Sequence, residues 1–331
     1  MRRRAFLAAL LVSPLAQAAY APVVQGRRLR FPRDHGAHPE YRTEWWYVTG
    51  WLERGGAPLG FQVTFFRATP EWESRNPSAF APRQILLAHA AIADAKLGKL
   101  RHDQRAAREG FGLAGARAGN TEAWIDDWKI ELRDGTYRTK IDSPELRLEL
   151  EMTPPRAPVL QGRQGFSRKG PRPAEASYYY SRPHLQVRGT LDGDAARGSA
   201  WLDHEWSSQY LAPEASGWDW CGINLHDGGS LMAFRIRAKE GGVYYAPPGV
   251  AFEPLRTWRS PRTGVEYPVA MRVVSGRKEY ELEPLMDDQE LDARLSAGTI
   301  YWEGAVRALS EGNEIGRGYL ELTGYWRPMA L

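Results

Sequence analysis

Apolar and polar residues alternate in short runs along most of the chain, a period of two that predicts strands rather than helices. The runs fall at residues 44–52, 59–67, 85–94, 124–132, 136–141 and 146–152, then at 184–191, 199–205, 218–225 and 230–237. Four more lie at 268–274, 280–284, 299–308 and 317–324. Turn-forming clusters separate them, such as Glu53-Arg54-Gly55-Gly56, Asp192-Gly193-Asp194 and His226-Asp227-Gly228-Gly229. No long stretch has a helical period. Short strands bounded by such turns predict an all-β fold of antiparallel barrels or sandwiches.

Two passages are echoed later in the chain. The run 44–52, a Gly-rich turn and 61–67 resemble 218–225, a Gly-rich turn and 231–237. Gly198-Ser199-Ala200-Trp201-Leu202-Asp203 likewise resembles Gly316-Arg317-Gly318-Tyr319-Leu320-Glu321. The pattern predicts two β domains, 19–211 and 212–331, each opening on a Trp-rich hairpin and closing on a matching strand. Residues 154–176, rich in Pro, Gly and Arg, predict a long loop that is either mobile or a lid over a mouth.

The first eighteen residues read differently. A basic start, the apolar run Ala5–Val12 and the small-x-small site Ala16-Gln17-Ala18 have the layout of a signal peptide. Arg3-Arg4-Ala5-Phe6-Leu7 fits the twin-arginine pattern. The expectation is a periplasmic protein cleaved near Ala18. The apolar run is far shorter than a membrane span, and no later segment qualifies.

Composition narrows the function. The formal charge of +4 falls to about +1 once Arg2, Arg3 and Arg4 are set aside, so no nucleic-acid partner is expected. A single cysteine, Cys221, excludes an intramolecular disulfide framework. The 13 Trp and 15 Tyr outnumber the 10 Phe, which suits cavities lined by aromatics with polar tips.

The chain has no G-x-S-x-G elbow, H-E-x-x-H, P-loop or G-x-G-x-x-G. Ser275-Gly276-Arg277-Lys278 reads as a turn. The cluster 34–40 holds His35, His38 and two carboxylates, but a Gly/Pro-rich loop does not fix metal geometry, and its imidazoles are expected to bond to backbone. No metal and no cofactor are expected. The most suggestive cluster is Asp203-His204-Glu205-Trp206. Strand alternation puts Asp203 and Glu205 on one face and His204 and Trp206 on the other. His204 and Trp206 are expected to line the ligand cavity, with His204 the acid or base, unless it is a core histidine bonded to backbone. His89 interrupts an apolar strand and marks either a cavity wall or a paired core site. Glu44, Trp45, Trp46, Tyr47, Tyr179 and Trp220 complete the candidate ligand-binding set, and Asp203, His204 and Glu205 the candidate catalytic set.

The blocks His38-Pro39-Glu40-Tyr41-Arg42-Thr43-Glu44-Trp45-Trp46-Tyr47-Val48-Thr49-Gly50, His89-Ala90-Ala91-Ile92-Ala93-Asp94, 200–206 and 318–325 resemble the signature of secreted AttH-like proteins. These are related to carotenoid 1,2-hydratases (hydroxyneurosporene synthases). The resemblance implies two packed lipocalin-like domains and, for the hydratase relatives, cofactor-free chemistry on polyenes or isoprenoids in an aromatic cavity. The hydratases' His-x-Trp matches His204-Glu205-Trp206. Their proton-donating Asp, two residues after a Tyr, falls near 231–237, where this chain has neither. That departure favours the AttH-like branch. The functional expectation is an exported protein binding an elongated lipid or isoprenoid, with acid–base chemistry on it. The alternatives are a secreted hydrolase of lipid-like esters and an accessory protein of a membrane export complex.

Overall fold

The computed structural model describes residues 20–70, 78 and 83–329. The signal segment 1–18 lies outside the described residues. Among the described residues the fold is all-β apart from a short 3-10 turn at Arg33–His35.

The first sheet has thirteen strands. They are β1 (Thr43–Arg54), β2 (Ala57–Ala68), β3 (Ile85–Asp94), β4 (Lys99–Arg108), β5 (Ala114–Ala116), β6 (Glu122–Ile125) and β7 (Trp128–Arg133). β8 (Thr136–Asp142), β9 (Arg147–Thr153), β10 (Val159–Leu160), β11 (Phe166–Arg168), β12 (Ala176–Leu191) and β13 (Asp194–Ser207) follow. The order is β4-β3-β2-β1-β13-β12-β9-β8-β7-β6-β5, antiparallel throughout, with β10 and β11 paired to β12. The sheet curls until β5 and β6 lie against β3 and β4.

The second sheet has nine strands: β14 (Ala215–Leu225), β15 (Ser230–Ala238), β16 (Val243–Tyr245), β17 (Val250–Arg259) and β18 (Glu266–Ser275), then β19 (Lys278–Pro284), β20 (Glu290–Ala293), β21 (Thr299–Ser310) and β22 (Asn313–Leu322). Its order is β16-β15-β14-β22-β21-β19-β18-β17, and β17 returns against β15. The chain passes from one sheet to the other between Ser207 and Ala215.

The echoed passages occupy matching places. β1 lies between β2 and β13, and β14 lies between β15 and β22. Leu52 pairs with Gly198 and Tyr47 with Asp203; Leu225 pairs with Gly316 and Trp220 with Glu321. Asp203 and Glu321 therefore hold equivalent positions, as do Tyr47 and Trp220. The glycines of the repeat have a steric reason. A Cβ at Gly198 would stand 1.9 Å from the Trp51 carbonyl oxygen, and one at Gly316 would stand 2.7 Å from that of Asn224.

Each barrel has its own core. Trp46, Val48, Tyr178, Tyr180, Leu202 and Trp206 belong to the first, and Cys221, Ile223, Trp302 and Leu320 to the second. A third apolar cluster lies between them, built from the opposite faces of the same strands: Tyr47, Trp51, Trp201, Trp220, Tyr301 and Tyr319. Polar bolts cross this junction. Trp51 Nε1 donates to the Gly318 carbonyl at 3.0 Å, and Trp220 Nε1 donates to the Tyr179 hydroxyl at 3.1 Å.

Several strand expectations are corrected. The run 124–132 is two strands, because Asp126 takes a left-handed turn conformation (φ 53°) between β6 and β7. β12 begins at Ala176, eight residues before the expected 184. β4 and β17 were not anticipated: one is mostly polar and the other carries Pro254. Segment 154–176 is not a free loop, since β10 and β11 pair with β12 and both Lys169 and Glu175 are buried. The turn reading of Ser275–Lys278 agrees with the β18–β19 hairpin.

Candidate functional site

Both faces of β1, β12 and β13 are buried, and each carries polar chemistry. On the barrel-core face, Glu44 Oε1 accepts from His38 Nδ1 and from His204 Nε2, each at 2.8 Å. Arg67 Nε donates to Glu44 Oε2 at 2.9 Å. The Tyr180 hydroxyl lies 3.1 Å from His204 Nδ1 and 2.9 Å from His35 Nδ1, and Asp34 Oδ1 lies 3.4 Å from His38 Nε2. The ring of His38 stacks on Trp206 with centroids 3.8 Å apart. Burial works against the charge on His38, but Glu44 and Asp34 outweigh it and hold its pKa above the ordinary value. Burial would raise Glu44, yet His38 and Arg67 keep it well below the carboxylate range. Burial depresses His204 despite Glu44. The imidazoles thus bond to carboxylates and a phenol, not to backbone carbonyls as expected.

His38, Glu44 and His204 are also the donor types that zinc takes, with their ligand atoms within 4.8 Å of one another. In this arrangement Glu44 Oε1 accepts an N–H from each imidazole, and Arg67 holds the other oxygen. A metal would have to displace both protons.

The cavity lies on the other face, between the barrels. It encloses about 210 Å³, is partly open to solvent, and has a predominantly apolar wall. Trp45, Tyr47, Phe66, Tyr179, Tyr210, Trp218, Trp220, Tyr301 and Met329 contribute to it, together with Asp203, Glu205, Glu321 and His89. The expectation that His204 and Trp206 line the cavity is corrected. Alternation separates them from Asp203 and Glu205 as read, but the cavity takes the carboxylate face, and His204 and Trp206 are fully buried in the first barrel. Trp46 goes with them. Glu44 borders the cavity although its carboxylate is engaged on the core side. Tyr210, Trp218, Tyr301 and Glu321 were not singled out from sequence, although the repeat already aligned Glu321 with Asp203.

Asp203 is 3% exposed and accepts from Tyr179 Oη at 2.5 Å, Ser181 Oγ at 2.5 Å and Trp201 Nε1 at 2.6 Å. Burial, which outweighs these donors and is helped by the Glu205 charge, pushes it up to about 7. Glu205 is raised by burial against the pull of Lys169, whose ammonium sits 2.7 Å from its carboxylate. Glu321, partly exposed, accepts from Trp218 Nε1 at 2.8 Å and is pushed by its surroundings to about 7. Directly across the ladder, buried Glu303 accepts from the Tyr47 hydroxyl and is raised well above its ordinary value by burial and by Glu321. A carboxyl poised near neutrality in an apolar cavity can give or take a proton.

A Ser–His pair exists at the cavity edge. His89 Nε2 lies 2.8 Å from Ser296 Oγ and His89 Nδ1 lies 2.7 Å from the Tyr301 hydroxyl. Gln104 uses its Nε2 on the Asp292 carbonyl, so its Oε1 accepts from Ser296 at 2.7 Å. The hydroxyl proton of Ser296 is therefore spent on Gln104, and His89 donates to Ser296 rather than taking its proton. Burial depresses His89 to about 3, so it stays neutral. This is not an activated nucleophile.

The model of the AttH-like family matches residues 22–325. A crystal structure of an AttH protein from Nitrosomonas europaea shares 53% identity, covers 92% of this chain and 99% of that chain, and superposes with a TM-score of 0.86. Kievitone hydratase from Nectria haematococca has the same fold at 14% identity, with a TM-score of 0.63 over 93% of this chain and 97% of that one. No curated protein matches the sequence. The two curled sheets and the residues matched agree on one conclusion: the chain belongs to the AttH-like family.

Proposed function

We propose that this protein is an exported acid–base enzyme that takes one end of an elongated apolar molecule into the cavity between its barrels. Asp203 exchanges protons with it, and Glu321 stands beside it at the equivalent position of the second repeat. The observation that carries this reading is the pair of carboxyls at equivalent positions of the two repeats, both facing one aromatic cavity and both poised near neutrality. Protonation of a double bond followed by water addition is the chemistry such a site supports best, and the fold shared with a hydratase is in keeping with it. The volume limits the ligand. About 210 Å³ is below the usual range of whole-ligand pockets. A long lipid or isoprenoid would enter by its end and leave its tail outside. Ester hydrolysis finds no support, because the hydrogen bonding of Ser296 points the wrong way. Export rests on the basic, apolar and small-x-small layout of residues 1–18.

Native mass spectrometry of protein recovered from its own periplasm tests this. The expected result is a retained apolar species that is lost in Trp45→Ala. Incubation of that species with the protein in oxygen-18 water should add one labelled water, and Asp203→Asn should abolish the addition. A retained species that never changes mass would contradict the enzymatic reading.

A further inference from the structure

The cavity contains more carboxyl groups than cations. Among the described residues Glu205 is paired with Lys169, and the guanidinium of Arg67 is spent on Glu44. Asp203, Glu303 and Glu321 form no ion pair among the described residues. Glu303 Oε2 is buried without a hydrogen-bond partner. Buried carboxyls either keep their protons or need a positive charge nearby.

The chain shows how this wall holds a cation. Lys169 Nζ lies 4.9 Å, 5.1 Å and 4.1 Å from the ring centroids of Tyr179, Tyr210 and Phe234, and 2.7 Å from Glu205 Oε1. It is an ammonium enclosed by aromatic faces with a carboxylate as counter-ion. A second set of walls, sharing Tyr210 with the first, borders the cavity. The ring of Tyr210 meets Trp45 at 85° with centroids 4.8 Å apart, and meets Trp218 at 82° with centroids 5.5 Å apart. Two indole rings that both stand steeply to Tyr210 give the cavity an aromatic corner, the kind of surface that recognises alkylated ammonium groups. Trp218 Nε1 is tied to Glu321 at 2.8 Å, which fixes that wall and places a carboxylate beside the corner. Among the described residues the ammonium that reaches Tyr210, that of Lys169, is paired with Glu205 and not with Glu321.

We infer that the ligand carries an alkylammonium group, seated between Trp45, Tyr210 and Trp218 and neutralised by Glu321. This rests on the cavity reading above and adds the chemical class of the end that enters. A small cationic head also fits an enclosed volume of about 210 Å³ better than a long hydrocarbon does.

The test is calorimetric titration of the whole mature protein with hexyltrimethylammonium, hexanol and hexanoate at mildly alkaline pH. The ammonium is expected to bind about tenfold more tightly than the alcohol, and the carboxylate more weakly than either. Glu321→Gln, which keeps an acceptor for Trp218, should remove most of that preference. Trp45→Leu, which opens one wall, should weaken the ammonium more than it weakens hexanol. Equal binding of hexanol and hexyltrimethylammonium, or an undiminished preference in Glu321→Gln, would overturn the ammonium inference and leave the cavity reading standing. No binding of any probe to folded protein would overturn both.

Discussion

Glu44 and Asp203 are buried carboxyls on the paired strands β1 and β13, and their surroundings drive them in opposite directions. Glu44 is surrounded by His38, His204 and Arg67 and stays ionised; Asp203 meets only neutral donors and the neighbouring Glu205 charge, and rises to about 7. Glu44→Gln leaves the charges of His38 and Arg67 buried without their partner, and should cost about 3–5 kcal/mol. His204→Gln disturbs the hydrogen bonds to ionised Glu44 and to Tyr180 and should cost about 1–3 kcal/mol. Denaturant titration checks both, and His204→Gln should leave ligand affinity unchanged once folded. Asp203 and Glu321 carry the opposite linkage. Their folded pKa lies above the unfolded value near 4, so the stability they contribute is complete below about pH 4 and is lost as pH rises through 7. Asp203→Asn and Glu321→Gln should therefore raise the melting temperature above neutral pH, by an amount equivalent to about 2–4 kcal/mol for Asp203 and less for the partly exposed Glu321. Near pH 4 both should melt close to the wild type. Calorimetry at the two pH values decides it; a stabilisation that is largest in acid would contradict the assignment.

Strands β1, β12 and β13 are covered on both faces, one by a barrel core and one by the second barrel. This double burial explains which parts of the site were legible. Alternation separated Asp203 and Glu205 from His204 and Trp206 in the sequence, because strand geometry is local. It did not say which face meets the cavity, because both faces look equally apolar until the partner sheet is placed. The start of β12 was hidden for a related reason: Tyr178, Tyr179 and Tyr180 are all buried, so no polar face marks a strand there. Lys169 escaped notice because it sits in a Pro/Gly-rich segment whose composition suggests a loop. It is instead the anchor of that segment, buried against Glu205 and three rings. Lys169→Met should release residues 154–176 and make Arg163 and Arg168 susceptible to trypsin, whereas the wild type resists cleavage there. Equal resistance of the two proteins would show that strand pairing by β10 and β11 suffices.

The fold was the most legible level. Turn-bounded alternation and the echoed hairpins gave two antiparallel sheets, and matching positions of β1 with β14 and β13 with β22 account for the repeat. Packing the two repeats face to face brings their equivalent carboxyls and aromatics to a shared cavity that neither barrel forms alone. The central claim is that ligand binds there and not inside the first barrel beside His204. Photolabelling with a hexyl chain carrying a diazirine, followed by peptide mapping, tests it most directly. The account predicts adducts on Trp45, Tyr210, Trp218 or Met329. Adducts confined to Tyr178, Tyr180 or Trp206 would contradict it.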